Sequence, residues 1–305
     1  MGGTSWSDSD WQQHSTNNAG KSQKQIFTQT KTVAELDPKN WTVRESCDSA
    51  NHPNSTPVMV VVDHTGSMGH LAVTLVKTGT GTLFNELLKR QPISDPQLAV
   101  ASVGDAVANG PDDAFQMTQF ESDIEVALQT EKIHLAGGGG GNGFESYEFG
   151  FYAAARRVKS DAFIKRQKKG YLFVIGDDGP YDGGVRAQLI EAVFGDKLER
   201  DITWAELIAE VKRTWHPYFL MVAQGDTFGK HLQNEWETIL GENAIVLQDV
   251  NSMAEVIVSL IEVNEGRDVQ QVAQSWGGDK SLVVAKALSG LPANRGTQQR
   301  GLTQL

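Results

Sequence analysis

Short apolar runs recur along the middle of the chain and alternate with segments of helical periodicity. The first run, residues 58–62, is Val-Met-Val-Val-Val without a polar interruption. Runs of this length, rich in Val and bounded by polar loops, are typical of strands that are buried on both faces. The same kind of pattern predicts further strands at 98–103, 114–120, 171–175, 218–222 and 245–247.

Helical patterns fill the intervals between these runs. They predict helices at 67–90, 123–130, 146–158, 203–213, 230–240 and 252–263. Strands that alternate with helices predict an α/β fold, in which a mostly parallel central sheet has helices on both faces. The run at 114–120 alternates apolar and polar residues, so we expect it at an edge of the sheet.

The two ends of the chain differ in composition from this centre. Ser, Thr, Asn and Gln occupy 17 of the residues in 1–32, and such a segment cannot bury enough apolar surface to offset the entropy of ordering it. We therefore expect a flexible polar arm at 1–32, a linker or extension at 33–55, a folded domain at 56–264 and a partly disordered C-terminal extension at 265–305.

Charge narrows the classes of partner. The 305 residues carry a net charge of −11, and the segment 56–264 alone carries −12. This acidity argues against nucleic acid and against an anionic membrane as the main partner, since both require Lys and Arg. The chain has one cysteine, Cys47, no secretory leader in its first 20 residues and no apolar run of membrane length. We therefore expect a cytoplasmic protein.

The candidate chemistry lies just after the first predicted strand. Asp63, Thr65 and Ser67 alternate there, and Gly66 allows a tight turn in which their oxygen atoms converge. Carboxylate and hydroxyl oxygens are hard ligands, which favour Mg²⁺ or Mn²⁺ over Zn²⁺. Ligands of open α/β sheets bind at the carboxyl ends of the strands. We therefore expect Asp178, which follows a later strand, to lie near the same place.

The segment 58–68 resembles the start of a von Willebrand factor A (vWA) domain. That family carries a metal-ion-dependent adhesion site (MIDAS) with the pattern Asp-x-Ser/Thr-x-Ser, often followed by Met, and a later Asp-Gly pair that is similar to Asp178-Gly179. The resemblance covers residues 56–264 and implies a Rossmann-like three-layer fold with one antiparallel edge strand. It implies a divalent cation, Mg²⁺ or alternatively Mn²⁺ or Ca²⁺, held by Asp63, Thr65, Ser67 and Asp178.

One part of the family's pattern is missing. Many vWA domains have a Thr in the loop before the third major helix, but residues 136–145 contain neither Thr nor Ser. By resemblance to the variant found in integrin β subunits, Glu145 takes that place. A metal with two carboxylates close to it is less electrophilic, which weakens capture of an acidic ligand or requires a conformational change first. The choice between Asp177 and Asp178 stays open, and the Asp-Gly pairing favours Asp178.

Other polar residues near this edge have ordinary interpretations. We interpret Asp105 as a solvated loop acid, and His64 and His70 as surface or packing residues. The glycine run 137–141 lacks the Gly-Lys-Ser/Thr of a P-loop. We expect this run to provide flexibility and a close approach of backbone to the metal.

These features lead to two hypotheses of different class. The favoured one is a non-enzymatic protein–protein interaction module, whose MIDAS cation captures an Asp or Glu of a partner within a multiprotein assembly. By analogy with cytoplasmic vWA proteins, a MoxR-type AAA+ ATPase is a candidate partner. The alternative is a phosphotransferase of the haloacid dehalogenase type with Asp63 as nucleophile. Thr65 speaks against it, because that family has a second Asp there as the general acid/base.

Overall fold

The computed structural model describes residues 4–138, 141, 143–223 and 230–292, without the side chains of Ser67 and Lys230. The strands are β1 Arg44–Ser46, β2 Thr56–Asp63, β3 Pro96–Val103, β4 Phe115–Met117, β5 Phe144–Glu145, β6 Val158–Ser160, β7 Gly170–Gly176, β8 Gly179–Pro180, β9 Trp215–Val222 and β10 Ala244–Leu247. The helices are α1 Asp8–Ala19, α2 Gln23–Ile26, α3 His70–Thr74, α4 Thr80–Arg90, α5 Glu125–Thr130, α6 Glu148–Arg156, α7 Asp161–Arg166, α8 Ala187–Phe194, α9 Trp204–Thr214, α10 Lys230–Leu240, α11 Met253–Asn264, α12 Val269–Gln274 and α13 Gly278–Leu288.

The main sheet has six strands in the order β10-β9-β7-β2-β3-β4. Neighbouring strands run parallel except β4, which pairs antiparallel with β3 at the edge. This confirms the predicted α/β fold with a mostly parallel sheet and one antiparallel edge strand. It is also the architecture that the resemblance to vWA domains implies.

Strand β2 shows why the fold has three layers. Its side chains alternate between two hydrophobic cores, with Val58, Val60 and Val62 on one side and Met59 and Val61 on the other. The first core is covered mainly by α3, α4, α11, α12 and α13, and the second by α6, α8, α9 and α10. A strand that contributes side chains to two cores needs apolar residues on both faces. All eight residues of β2 are buried, and residues 57–62 are all apolar.

Two small sheets were not predicted from the sequence. Strand β1 pairs with β6, and β5 pairs with β8, both in parallel. Each strand of these pairs has only two or three residues, which is too short to show a hydrophobic period. The β5–β8 pair matters for function because it joins the segment of Glu145 to the segment that follows Asp178.

The N-terminal segment differs from the flexible arm expected at 1–32. Helix α1 begins after Ser7, whose side chain accepts a hydrogen bond from the Asp10 amide, and it buries Trp11 against the body of the protein. The segment is polar in composition, but two tryptophans and a few buried polar contacts are enough to hold α1 against the body of the protein. The boundaries proposed for the domain and its extensions remain predictions.

The C-terminal extension contains more helix than expected. Both α12 and α13 pack on the first core, through buried residues such as Val272, Val284 and Leu288. Residues 293–305, which include most of the polar tail, lie outside the described part of the chain. Within the described ranges, no helix combines the length and the apolarity needed to cross a bilayer.

Candidate metal centre

The predicted site residues lie at the carboxyl edge of the central sheet. Strand β2 ends at Asp63, and its neighbour β7 ends at Gly176, directly before Asp177 and Asp178. Strand β3, on the other side of β2, leads into Asp105. Adjacent parallel strands thus deliver acidic residues to one edge, which is where ligands of such sheets bind.

The turn after β2 holds Asp63 and Thr65 together. The backbone amide and the hydroxyl of Thr65 both donate to Oδ1 of Asp63, at 2.7 and 2.6 Å. Gly66 follows with a φ of +25°, and its amide donates to the Gly138 carbonyl at 3.0 Å. A Cβ at position 66 would lie 3.1 Å from that carbonyl oxygen. The glycine therefore allows Gly138 to approach the turn. Residues 139 and 140 of the glycine run 137–141 lie outside the described part of the chain.

Ser67 is the third residue of the predicted motif. Its backbone belongs to the 3₁₀ turn Gly66–Gly69, but its side chain lies outside the described part of the structure. Met68 is fully buried, and its amide donates to the Thr65 carbonyl at 2.7 Å. The turn is therefore anchored on both sides of Ser67.

Glu145 joins the same turn from β5. It is 2% exposed, and its carboxyl group is within hydrogen-bond reach of the Thr65 side chain. Burial and then the charge of Asp63 raise the pKa of Glu145 to about 9. Its Oε2 atom is buried and has no hydrogen-bond partner among the described residues. A buried carboxylate oxygen without a partner is costly, so this atom points to a missing cation or donor.

The carboxyl group of Asp63, like that of Glu145, is buried and has a raised pKa. It is fully buried, and burial raises its pKa to about 7, although hydrogen bonds from Thr65 and Tyr147 act in the opposite direction. The charge of Asp177 raises the pKa of Asp63 further. Two carboxyl groups, Asp63 and Glu145, thus share the hydroxyl of Thr65 in a water-poor place. A divalent cation would favour the ionised form of both.

Tyr147 is a site residue that the sequence analysis missed. Its hydroxyl donates to Oδ2 of Asp63 at 2.8 Å and accepts from the Asp178 amide at 3.3 Å. A Cβ on Gly176 would overlap this hydroxyl, so the glycine at the end of β7 makes room for it. A glycine in a strand often marks such a close approach, and this was the available signal.

Asp178 reaches the centre indirectly. It is half-buried, and its backbone carbonyl accepts from Nε1 of Trp236 at 3.2 Å. Burial, followed by the charge of Asp177, raises the pKa of Asp178 to about 6. The charge of Asp178 also acts on Glu145, whereas that of Asp177 acts on Asp63. Each of the two neighbours therefore faces one buried carboxyl, and the choice between them stays open.

Asp105 is not the solvated acid that the sequence suggested. It is 1% exposed, and its Oδ1 accepts from the amides of Val107 and Ala108 at 2.9 and 3.0 Å. The Tyr181 hydroxyl donates to the same carboxylate at 2.9 Å. The side chain of Asp105 is directed inward because two backbone amides and the Tyr181 hydroxyl donate hydrogen bonds to it there. Its charge raises the pKa of Glu145 and Asp178.

The two histidines near the site behave as ordinary residues. His64 is buried against Gly104, where a Cβ would lie 2.8 Å from its Nε2, and burial lowers its pKa to about 4. It packs as a neutral side chain. His70 is exposed at the start of α3.

The donor set fits a hard divalent cation. Among the described residues, no three His, Cys, Asp or Glu side chains converge into a metal-binding group. These four residue types do not include hydroxyl oxygens, which can supply part of the ligand set of a hard cation. Asp63, Thr65 and Glu145 are together, and Asp178 is linked to Asp63 through Tyr147. The unpartnered oxygen of Glu145 is the place where such a group would be satisfied.

Comparison with known proteins gives distant likenesses only. No protein-family model matches the chain, and no curated protein matches it. Solved structures similar to it include the pilus adhesin SpaC from Lactobacillus rhamnosus GG, at 13% identity, a TM-score of 0.41 and 68% of this chain. Proximal thread matrix protein 1 from the mussel byssus matches 69% of this chain at 12% identity and a TM-score of 0.41. A von Willebrand factor type A protein from Catenulispora acidiphila matches 71% at 12% identity and a TM-score of 0.38.

These matches span only part of the other proteins. They cover 30% of the adhesin, 46% of the thread matrix protein and 44% of the Catenulispora chain. Likenesses this distant do not say what the chain binds. The functional argument therefore rests on the residues of the site.

Proposed function

We propose that this chain is a cation-dependent protein-interaction module of the vWA type. The cation is held by Asp63, Thr65, Ser67 and Glu145, with Asp178 in support. Once bound, it offers an open coordination position to an oxygen ligand, for which we propose an Asp or Glu carboxylate of a partner protein. The observation that carries this proposal is the buried, unpartnered oxygen of Glu145 beside the Asp63–Thr65 turn.

The chain's own residues prepare this position. Thr65 bridges the two acids: its amide and hydroxyl donate to Asp63, and its side chain is within hydrogen-bond reach of Glu145. Tyr147 orients Asp63 through its second oxygen and fixes the loop of Asp178. The β5–β8 pair holds the two ligand-bearing segments in register, since the Gly179 amide donates to the Gly143 carbonyl at 2.9 Å. Asp63 and Glu145 are therefore positioned by strands, and the Asp178 segment is held between β7 and β8.

The expected metal is Mg²⁺, with Mn²⁺ or Ca²⁺ as alternatives. All proposed ligand atoms are carboxylate or hydroxyl oxygens, which suit hard cations. Two carboxylates neutralise much of the metal's charge. We therefore expect a modest affinity for a single carboxylate, and a partner that adds further contacts around it. A multiprotein assembly, with a MoxR-type AAA+ ATPase as the candidate partner, agrees with that expectation and rests on the vWA resemblance alone.

The phosphotransferase alternative gains no support from the geometry. The haloacid dehalogenase family needs a second Asp two residues after the nucleophile, and here the residue two positions after Asp63 is Thr65, which donates its amide and hydroxyl to Asp63. Thr65 cannot serve as a general acid/base at neutral pH. We therefore propose a non-enzymatic role.

The first test is direct cation binding by the full chain. Isothermal titration calorimetry with MgCl₂ and MnCl₂ should show saturable binding to the wild type. Asp63→Ala and Thr65→Ala should abolish it, because each removes a ligand and the bridge between the acids. Asp182→Ala removes an exposed acid after β8 and should bind like the wild type. Equal binding by all four proteins would mean that the acidic surface, and not this site, attracts the cation.

The second test addresses the partner. The full chain is used as bait in Mg²⁺ and again after chelation with EDTA, alongside Asp63→Ala. A partner of the proposed kind is retained only by the wild type and only with the metal. A partner set that is identical in EDTA would contradict capture through the cation.

A further inference from the structure

The N-terminal segment, residues 4–32, lies across α4. This helix follows α3 and the turn at residues 63–69, which we call the metal-binding turn. Trp11 occupies a notch at Gly81 of α4, where a Cβ would overlap its ring. Trp6 stacks on Phe84 of the same helix, with ring centroids 4.5 Å apart, and its Nε1 donates to Asn85 at 2.6 Å. We call this segment the strap, because side chains along its length hold it to the body.

The strap is also anchored by buried polar contacts. His14 and Asn18 of α1 both contact Oε1 of Glu131 just after α5, at 2.7 and 2.6 Å. Further along, the amide and hydroxyl of Thr32 donate to Asp113. A segment of such polar composition is therefore fixed by specific contacts rather than by a broad apolar face.

The helix beneath the strap is interrupted by a π-turn. Residues Leu75–Gly79 form this turn between α3 and α4. Ser15 of the strap donates to the Lys77 carbonyl at 3.0 Å, and Lys77 in turn donates to the Lys21 carbonyl at 2.7 Å. Short π-turns are rare and often occur at functional sites. Here the strap contacts the turn itself and so stabilises the extra residue that it contains.

The strap reaches the metal-binding turn as well. The Gln23 side-chain amide lies against Gly69, where a Cβ would be 3.0 Å from Nε2 of Gln23. Gly69 ends the 3₁₀ turn that begins at Gly66. The same short segment therefore touches the π-turn at one end of α3 and the metal-binding turn at the other.

We propose that the strap fixes the register of α3, and through it the conformation of the metal-binding turn. If the π-turn relaxed to α-helix, the residues before it would move by one helical position, about 1.5 Å along the axis and about 100° around it. That movement of residues 66–74 would take the metal-binding turn away from Glu145. The strap is thus a regulatory element: its release loosens the turn, and cation binding and strap docking favour each other. The link to the cation rests on the proposed function, whereas the link to the turn does not.

Two substitutions release the strap without touching a proposed ligand. Gly81→Ala fills the Trp11 notch while improving the helix propensity of α4, so the helix itself should not suffer. Ser15→Ala removes the hydrogen bond to the π-turn and leaves α1 intact. Their controls are Gly20→Ala, where a Cβ would meet nothing within 4 Å, and Thr16→Ala, an exposed residue of α1.

Hydrogen exchange measured by mass spectrometry reports how readily the backbone of the turn opens in the absence of metal. In Gly81→Ala, we expect the amides of 66–79 to exchange about fivefold faster or more, with a smaller change in Ser15→Ala and none in the controls. Faster exchange of the α1 amides shows that the strap is released in Gly81→Ala, and unchanged exchange at 66–79 in that case would overturn the proposal.

Calorimetric titration with MnCl₂ then tests the link to the cation. The affinity of Gly81→Ala should be about fivefold lower than that of the wild type, and both controls should match the wild type. If the wild type binds no cation while exchange at 66–79 still rises in Gly81→Ala, the proposed function fails and the strap's control of the turn stands. If the wild type binds and Gly81→Ala binds equally well, the link between strap and cation is wrong.

Discussion

At the scale of single residues, Tyr147 connects the two halves of the candidate metal centre through one hydroxyl. It donates to Asp63 and accepts from the Asp178 amide, and Gly176 provides the space that its ring end occupies. Its hydrogen bond lowers the pKa of Asp63, against the larger effect of burial. The residue therefore favours the ionised carboxylate that a cation needs.

Tyr147→Phe should weaken cation binding at pH 7 by about tenfold, the usual effect of losing a group that orients a metal ligand. The loss of the donor leaves Asp63 with a higher pKa, so protons compete more strongly with the metal. Tyr152→Phe is the matched control, because Tyr152 lies on α6, the helix that Tyr147 directly precedes, and its hydroxyl donates to Asp196 instead. Calorimetric titration with MnCl₂ measures the effect. Equal losses in both variants would indicate a general disturbance of α6.

Glu148 is a further buried acid near the site, but its role differs. It is fully buried on α6, and neither of its carboxylate oxygens has a partner among the described residues. Burial raises its pKa to about 8, and the charge of Arg186 moderates this rise. The folded state therefore holds this proton to a higher pH than the unfolded chain does. The stability that the proton provides is fully present below pH 4.5 and is lost as the pH rises to about 8.

Glu148→Gln should accordingly stabilise the protein at high pH and not at low pH. At pH 9 we expect a free energy of unfolding about 2 kcal/mol above that of the wild type, because the buried charge is gone. At pH 5 the two proteins should agree closely, since the wild-type side chain is then neutral as well. Urea unfolding at both values measures the difference. A gain of the same size at pH 5 would mean that repacking, and not ionisation, is responsible.

At the scale of elements, the two-residue pair β5–β8 holds the ligand-bearing segments together. Phe144 of β5 stacks on Tyr181, which follows β8, with ring centroids 5.6 Å apart. Tyr181 in turn binds Asp105. Three loops of the carboxyl edge are thus linked through one aromatic contact.

Phe144→Ala should loosen this link and lower the cation affinity several-fold. We expect only a small change in the melting temperature, because Phe144 is half-buried and outside both main cores. Phe163→Ala is the control, since Phe163 is also half-buried but lies on α7, which precedes β7 at the opposite edge of the sheet. Calorimetry gives the affinity and thermal melting the stability. An unchanged affinity would show that the strand pair alone positions Glu145.

The elements also show what the sequence reveals and what it conceals. Strands β2, β3, β7 and β9 were predicted because burial on both faces requires unbroken apolar runs. Helix α1 was not, because its docking depends on a notch at Gly81 that belongs to a distant part of the chain. The burial of Asp105 was not predicted either, because Tyr181, which donates to its carboxylate, lies far along the chain.

The site was predicted unevenly for the same physical reason. Asp63 and Thr65 lie in one turn, so their spacing along the chain fixes their contact. Glu145 and Tyr147 meet them through tertiary packing, which spacing does not encode. Spacing alone did not fix the place of Glu145, for which the prediction drew on the vWA resemblance, and Tyr147 was missed.

At the scale of the whole molecule, three of the 38 acidic residues behind the net charge of −11 have a common place in the fold. Asp63, Glu145 and Asp178 all lie at one edge of the sheet, and their pKa values are raised to about 7, 9 and 6. Each folded-state pKa lies above the ordinary value of the group. Without metal, the folded protein therefore holds more protons than the unfolded chain across this range. The contribution of these three acids to stability is fully present below about pH 4 and is lost as the pH rises towards 9.

A divalent cation should reverse this dependence, because it replaces the protons that the acids otherwise need. We expect saturating Mg²⁺ to raise the melting temperature by several degrees at pH 8 and very little at pH 5. KCl at matched ionic strength separates this effect from screening of the acidic surface. Asp63→Asn should lose the gain at pH 8 while keeping the rest of the negative charge. A gain that is equal at both pH values, or that persists in Asp63→Asn, would place the stabilising cation elsewhere on the surface.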